Sequence, residues 1–229
     1  MAAIRAITLD LDNTLWDVIP VIERAERNTQ RYMDQNFPKI AKRYTFDDVR
    51  RLREQIYRAC PEIRHDLTEL RRQVFLHLLD ECGYDSCHAS ELLGRFLADR
   101  NRVELFPDVL PALKQLSATV PLVSLSDGNA CLDTIGIQQY FVGSVTAADV
   151  GAMKPDPRGF HQACSIAGEP PFDILHVGDH PLYDMYGARN AGMQTMWMAR
   201  TDEAEKSWDQ DFEPDYRAKS LTDLVNLVC

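Results

Sequence analysis

The run Ile7-Thr8-Leu9 enters Asp10-Leu11-Asp12-Asn13-Thr14-Leu15, two aspartates separated by one residue and followed by a threonine. A short buried strand gains no stability from ending in paired acids, because desolvating a charge is costly without a partner. Residues two apart in an extended chain point to one side, so Asp10 and Asp12 share a face. That pairing calls for a cation and for further groups at the same spot. In open α/β sheets such groups collect beyond the carboxyl ends of the strands. The feature therefore predicts a sheet whose carboxyl edge holds a ligand, and the rest of the chain has to supply it.

The later sequence alternates as such a sheet requires. Apolar runs at 120–125, 141–146, 174–177 and 194–198 are separated by helical patterns at 108–116, 157–167, 182–191 and 221–228. Short apolar strands interleaved with helices indicate a parallel sheet covered on both faces. The first strand, 4–9, belongs to this set but is cut off from it by a long segment without a convincing strand. There, apolar spacing predicts helices over 21–36, 46–59, 66–83 and 90–99. The expected fold class is α/β, a Rossmann-like parallel-sheet core with a helical cap inserted after the first strand. The expected boundaries are 1–18 and 101–229 for the core and 19–100 for the cap. Arg71 and Arg72 fall opposite the apolar stripe of the third cap helix and are expected on a solvated face. The acidic stretch 202–215 is expected to be a surface excursion.

Composition excludes several function classes. A net charge of −10 over 229 residues lacks the basic footprint of nonspecific nucleic-acid binding. No apolar run reaches the roughly 18 residues of a membrane span. Met-Ala-Ala-Ile-Arg at the start carries no apolar signal-peptide core, so a cytoplasmic location is expected. The six cysteines (Cys60, Cys82, Cys87, Cys131, Cys164, Cys229) form no CxxC pair and are expected as free thiols.

Four strand ends carry polar punctuation: Asp10-Leu11-Asp12, Ser126-Asp127-Gly128-Asn129, Lys154, and Gly178-Asp179 with Asp184 beyond. Carboxylates gathered at one locus resist joint ionisation unless a cation is present. Hard oxygen ligands suit Mg²⁺, which takes one or two carboxylates together with substrate phosphate. The Ser126 hydroxyl and the backbone N–H groups of Asp127, Gly128 and Asn129, at an expected helix start, suit a phosphate. Lys154 offers a compact positive charge to phosphate oxygens and to a carboxylate.

Taken in order, Asp10-x-Asp12-x-Thr14, Ser126, Lys154 and Gly178-Asp179-x-x-x-x-Asp184 resemble the four motifs of the haloacid dehalogenase-like hydrolases. The resemblance spans the chain, helical insertion included. It implies a Mg²⁺-dependent phosphohydrolase with Asp10 as nucleophile, Asp12 as acid–base, and Ser126 and Lys154 on the phosphoryl group. It further implies Mg²⁺ held by Asp10, the Asp12 backbone carbonyl and Asp179, with Asp184 as a further carboxylate. The dehalogenase branch lacks the second aspartate, so Asp12 favours phosphatase or phosphomutase. Asp127 departs from the asparagine common at its place. Leu9 to Asp17, Pro61-Glu62-Ile63-Arg64-His65-Asp66 and Ile174 to Asp179 are similar to bacterial phosphatases acting on FMN and on 5-amino-6-(5-phospho-D-ribitylamino)uracil. The implied partner is a small phosphorylated metabolite, with the chain a monomer or homodimer. A receiver-type phospho-acceptor domain is disfavoured by the helical insertion.

Substrate selection is expected from the cap and its surroundings. Trp16 either stacks on a substrate ring or fills the joint between cap and core. Arg64 and His65 lie in a Pro-containing turn suited to substrate contact or to plain exposure. Asn129 is a cap residue or a substrate contact. Tyr57 and Arg58 are expected as ordinary helix positions, His176 as a core or edge residue, and His161 and His180 as non-ligands.

Overall fold

The computed structural model describes residues 3–201 and 208–229, so part of the acidic stretch 202–215 lies outside the described residues. The chain divides into two compact units. One is Val18–Val103 with Asn129–Cys131; the other is Met1–Asp17, Glu104–Gly128 and Leu132–Cys229.

The first unit is helical. Its elements are α1 (Val18–Asn36), α2 (Pro38–Arg43), α3 (Phe46–Ala59), α4 (Leu67–Glu81) and α5 (His88–Arg100). Local chemistry sets their ends. Thr45 and Asp48 form a reciprocal capping box at the start of α3. The Asp66 carboxylate accepts the Glu69 N–H at 2.8 Å to open α4. α2 escaped the periodicity because it is one and a half turns long, started by Pro38 at its first position. Met33, Phe37, Ile40, Val74, Phe75, Leu78, Leu92 and Phe96 make the core between these helices. Phe37 meets Tyr84 and His88 edge-on, each with ring centroids 5.2 Å apart.

A carboxylate is buried in this apolar packing. Glu26 on α1 accepts from Arg53 on α3 at 2.5 Å and from Arg71 on α4 at 3.1 Å, with Arg50 at 3.5 Å. Arg71 is thus not on a solvated face. It is buried, lies with its guanidinium 3.9 Å from the Phe96 ring centroid, and joins three helices through Glu26. Apolar periodicity misassigned it because a buried ion pair looks like a surface position in a hydrophobic pattern. Arg72 does behave as a surface residue, pairing with Glu69 at 2.6 Å.

The second unit is a six-stranded parallel sheet: β1 (Ala6–Leu9), β2 (Leu122–Ser126), β3 (Gly143–Thr146), β4 (Ile174–Gly178), β5 (Gln194–Met198) and β6 (Tyr216–Ala218), in spatial order β3-β2-β1-β4-β5-β6. All residues of β1, β2 and β4 are buried, which explains text dominated by apolar residues, with Thr8, Ser124, Ser126 and His176 as buried polar positions. Ile7 lies opposite Leu122 on one side and Leu175 on the other. The direction of winding reverses at β1, so its carboxyl end opens at a topological switch point.

Among the described residues, the helices of this unit are α6 (Val109–Thr119), α7 (Leu132–Ile135), α8 (Ala147–Val150), α9 (Pro157–Ala167), α10 (Gly187–Asn190) and α11 (Leu221–Val228). α9 shows its signals plainly, with Asp156 accepting from the Arg158 N–H, Pro157 in the first turn and Gly168 in the left-handed conformation at the end. Two expectations need correction. The helix expected over 182–191 is present but opens as a π-helix, Pro181–Tyr186, before the one-turn α10. The helix expected to open at Asp127–Asn129 starts only at Leu132 and lasts four residues, so it contributes little dipole there. Arg200, unremarkable in sequence, donates to the Thr14 carbonyl at 2.6 Å and to Asp108 at 3.0 Å, pinning the turn after β1.

Removing the buried acid should leave Arg53 and Arg71 without their acceptor and Arg50 without its ion pair. Glu26→Leu is expected to lower unfolding free energy by about 3 kcal/mol, whereas Arg27→Ala, which breaks only an exposed pair with Glu23, should change it by under about 0.5 kcal/mol. Urea titration of both variants checks the contrast.

Candidate active site

The carboxyl ends of β1, β2 and β4 and the loop between α8 and α9 surround a cavity of about 160 Å³. Asp10, Asp12, Asn13, Ser126, Asp127, Gly128, Lys154, Asp179 and Asp184 all line it, with His180 and Tyr183. The residues that punctuate four separate strand ends in the sequence therefore meet at one place.

Lys154 is the hub. Its Nζ donates to Asp10 Oδ1 at 2.6 Å and to Asp184 Oδ1 at 2.5 Å, with all three side chains buried. Burial alone would discharge the ammonium, but Asp10, Asp184 and Asp127 outweigh it and hold Lys154 firmly protonated. Burial, then the charges of Asp184 and Asp179, pushes the Asp10 carboxyl well up, against the pull of Lys154. Burial would raise Asp184 too, yet Lys154 and His176 hold it below the usual carboxylate range. Asp179, pressed by burial and by Asp184, is pushed up to about 7.

Local structure explains these positions. The Asp10 N–H donates to the Val177 carbonyl at 2.9 Å, tying the end of β1 to β4. Thr14 donates to Asp10 Oδ2 at 3.3 Å. Asn13 turns the chain with φ 60°, a left-handed value that asparagine tolerates. Asp184 Oδ2 accepts the His180 N–H at 3.0 Å. A Cβ at Gly178 would lie 2.3 Å from Asp184 Cγ, so only glycine at the end of β4 admits that carboxylate. The Asp127 side chain accepts the Lys154 backbone N–H at 2.9 Å and so anchors the loop that presents the lysine. The Gly128 N–H donates to Ser126 Oγ at 3.0 Å, which fixes the hydroxyl oxygen.

His176 has a larger part than its place in a strand suggested. It is buried in β4, with Nε2 3.1 Å from Asp184 Oδ1 and Nδ1 2.8 Å from Thr8 Oγ1. Burial keeps its pKa low, and the ionised Asp184 can only accept. The imidazole is therefore neutral, donates from Nε2, and receives the Thr8 hydroxyl at Nδ1.

Three expected substrate contacts lie elsewhere. Trp16 is fully buried, so it cannot stack on a ligand ring; its indole N–H donates to Asp12 Oδ1 at 2.8 Å. Arg64 donates to the Tyr57 and Arg58 carbonyls at 2.7 and 2.9 Å and closes the end of α3. Asn129 groups with the helical unit and donates to Thr68 at 3.2 Å. His180 caps the π-helix, its Nδ1 accepting the Leu182 N–H at 3.2 Å.

A family model of haloacid dehalogenase-like hydrolases matches residues 4–192. The chain belongs to this family. Among similar proteins, the Escherichia coli K12 5-amino-6-(5-phospho-D-ribitylamino)uracil phosphatase YigB is 31% identical, over 100% of this chain and 98% of its own length. A phosphoserine phosphatase of Thermus thermophilus is 31% identical over 67% of this chain and 63% of its own. A solved structure from Pseudomonas syringae pv. Tomato DC3000, described as a 2-haloacid dehalogenase, superposes with a TM-score of 0.91 at 34% identity, covering 98% of each chain. The family and these phosphatase relatives make the chain a phosphatase.

Carboxylate oxygens of Asp10, Asp179 and Asp184 fall within 4.8 Å of one another. Lys154 faces these three acids, and the raised pKa of Asp179 registers its burial first and then the charge of Asp184. An all-oxygen donor set under such repulsion fits a hard divalent cation such as Mg²⁺. Without metal, the folded protein holds a proton on Asp179 that the unfolded chain gives up near pH 3.8. Its stabilising effect is present at low pH and lost as pH rises through about 7. Asp179→Asn mimics the protonated state. In metal-free buffer it is expected to melt above wild type at pH 8, with the gap closing by pH 5, as read by thermal denaturation.

Proposed function

We propose that this chain is a Mg²⁺-dependent phosphomonoesterase working through an aspartyl-phosphate, with a ribitylaminouracil phosphate or FMN as substrate class. The observation that carries the chemistry is the pair Asp10 and Asp12 lining one cavity with the ammonium of Lys154 on Asp10. Full-length similarity to a phosphatase named for ribitylaminouracil phosphate supports the substrate class.

In this reading Asp10 attacks phosphorus and the P–O bond to the alcohol breaks, which splits one hard displacement into two. Lys154 and Thr14 hold the two oxygens of that carboxylate, so the nucleophile is aimed before substrate arrives. Asp12 gives its proton to the departing alkoxide and later takes one from the water that cleaves the acyl phosphate. Trp16 fixes the Asp12 carboxylate by its indole N–H. Ser126, held by the Gly128 N–H, and the backbone N–H of Asp127 bind phosphoryl oxygens, and Lys154 offsets the charge that develops on them. Asp10, Asp179, Asp184 and the Asp12 carbonyl would hold Mg²⁺, which when bound neutralises charge and orients the phosphoryl group.

The 0.91 superposition on a structure described as a dehalogenase favours a second reading, halide displacement from a 2-haloacid by Asp10. That chemistry has a leaving group needing no proton, and it gives Asp12 no task.

A panel assay separates the readings. FMN and the ribitylaminouracil phosphate should release phosphate in an EDTA-sensitive reaction, at least about tenfold above phosphoserine and sugar phosphates in kcat/KM. Asp10→Asn should abolish it. Chloride release from 2-chloropropionate with no phosphate release would overturn the phosphatase mechanism; preference for sugar phosphates would overturn the substrate class. Trp16→Phe keeps the packing and loses the N–H. Steady-state kinetics should show kcat down about tenfold with KM little changed, the cost of one hydrogen bond to a charged group.

A further inference from the structure

Asp12 stands on the turn that follows β1, and a turn aims a side chain only as well as the turn itself is held. Inside it, the Thr14 N–H donates to the Leu11 carbonyl at 3.2 Å and the Asn13 N–H to the Trp16 carbonyl at 2.7 Å. The Trp16 indole closes on Asp12 Oδ1 at 2.8 Å. Trp16 pairs with Leu105, and the Phe106 N–H donates to the Leu15 carbonyl at 3.0 Å. Neither stretch belongs to the six-stranded sheet, so the sheet ladder does not fix them.

Arg200, two residues beyond the end of β5, ties this assembly down from outside. Its Nε and Nη2 both donate to the Thr14 carbonyl, at 2.9 and 2.6 Å. Its Nη1 and Nη2 reach the two oxygens of Asp108 at 3.0 to 3.2 Å. The guanidinium carbon lies 4.1 Å from the Phe106 ring centroid, which fixes the plane of the fork. Asp108 is itself held by the Leu221 N–H at 2.6 Å, at the start of α11. Burial would raise the Asp108 carboxyl, yet Arg200 and the Leu221 N–H keep it below the usual carboxylate range, so it remains an anion for the guanidinium. Thr14 is fully buried, and a buried carbonyl needs a donor. A planar fork with donors on three nitrogens serves the carbonyl and the carboxylate together; the point charge of an ammonium does not.

We propose that Arg200 is a positioning residue for the acid step: by gripping Thr14 it sets where the Asp12 carboxyl stands relative to the leaving oxygen. The inference rests on the proposed function, in which Asp12 protonates the departing alcohol. In that step the bond from Asp10 to phosphorus forms, the P–O bond to the alcohol breaks, and the Asp12 proton moves to the alcohol oxygen. An alkyl oxygen needs this proton as the bond breaks, whereas p-nitrophenolate leaves as a stable anion without it. A misplaced Asp12 therefore penalises alkyl esters selectively. The Thr14 hydroxyl also reaches Asp10, at 3.3 Å, so a further loss common to both kinds of ester accompanies it. A smaller folded fraction likewise lowers both alike.

The test compares kcat/KM for p-nitrophenyl phosphate with that for the alkyl phosphate the wild type hydrolyses fastest, on one sample of the full chain with Mg²⁺. The ratio of the two constants cancels the concentration of active enzyme, so partial unfolding of a variant does not move it. Arg200→Gln is expected to lower the alkyl-to-aryl ratio at least about tenfold, a fraction of what a general acid contributes. Arg200→Lys keeps the charge and loses the fork, and should lower the ratio at least about threefold. An unchanged ratio in Arg200→Gln overturns the inference and leaves the phosphatase reading in place. Full recovery of the ratio in Arg200→Lys assigns the effect to charge alone and overturns the fork. Wild type that hydrolyses no alkyl phosphate overturns the proposed function itself.

Discussion

One ammonium between two buried carboxylates sets the terms for the carboxyl edge of the sheet. Lys154 reaches Asp10 and Asp184 at once, and those acids come from opposite sides of the switch point between β1 and β4. Neither carboxylate would stay ionised at that depth alone. The lysine in turn depends on the loop carrying it, which Asp127 secures by taking its backbone N–H. The residue that looked like a departure from the family pattern is thus part of the support for the central charge.

Both units solve the same problem with opposite signs. In the sheet unit one cation serves several acids. In the helical unit one acid, Glu26, serves several arginines. A buried ion group of unequal count carries a residual charge, and the surplus is available to something outside the protein. A surplus of acids invites a metal ion. Fold stability gains little from such groups relative to apolar packing of the same volume, which makes their binding capacity the more informative property.

β1, β2 and β4 were legible because fully buried strands have no alternation to disguise, whereas the three-residue β6, with only Ala218 buried, was not expected. Asp10, Asp12, Ser126, Lys154, Asp179 and Asp184 were legible as a set because polar residues stood where apolar strands end. What could not be read were contacts made across the sequence. Thr8 and His176 are ordinary strand residues until β1 and β4 pair and bring them to 2.8 Å. Trp16 is a large aromatic next to the motif, and nothing local says that its indole turns back toward Asp12 instead of outward. Arg71 was misplaced because hydrophobic periodicity has no symbol for a buried charge. The helix after Asp179 was expected but its π opening was not, since Pro181 and the following residues suit an ordinary helix start.

Gly178 has a wider meaning than its size suggests. The other members of the cluster are there for a group they carry; this residue is there for a group it omits. Any side chain at the end of β4 would occupy the volume of the Asp184 carboxylate. The lysine would then keep one acid instead of two, and the balance of charge around the cavity would shift by a full unit. A single methyl group, with no charge and no hydrogen bond, can therefore alter the electrostatics of the whole pocket.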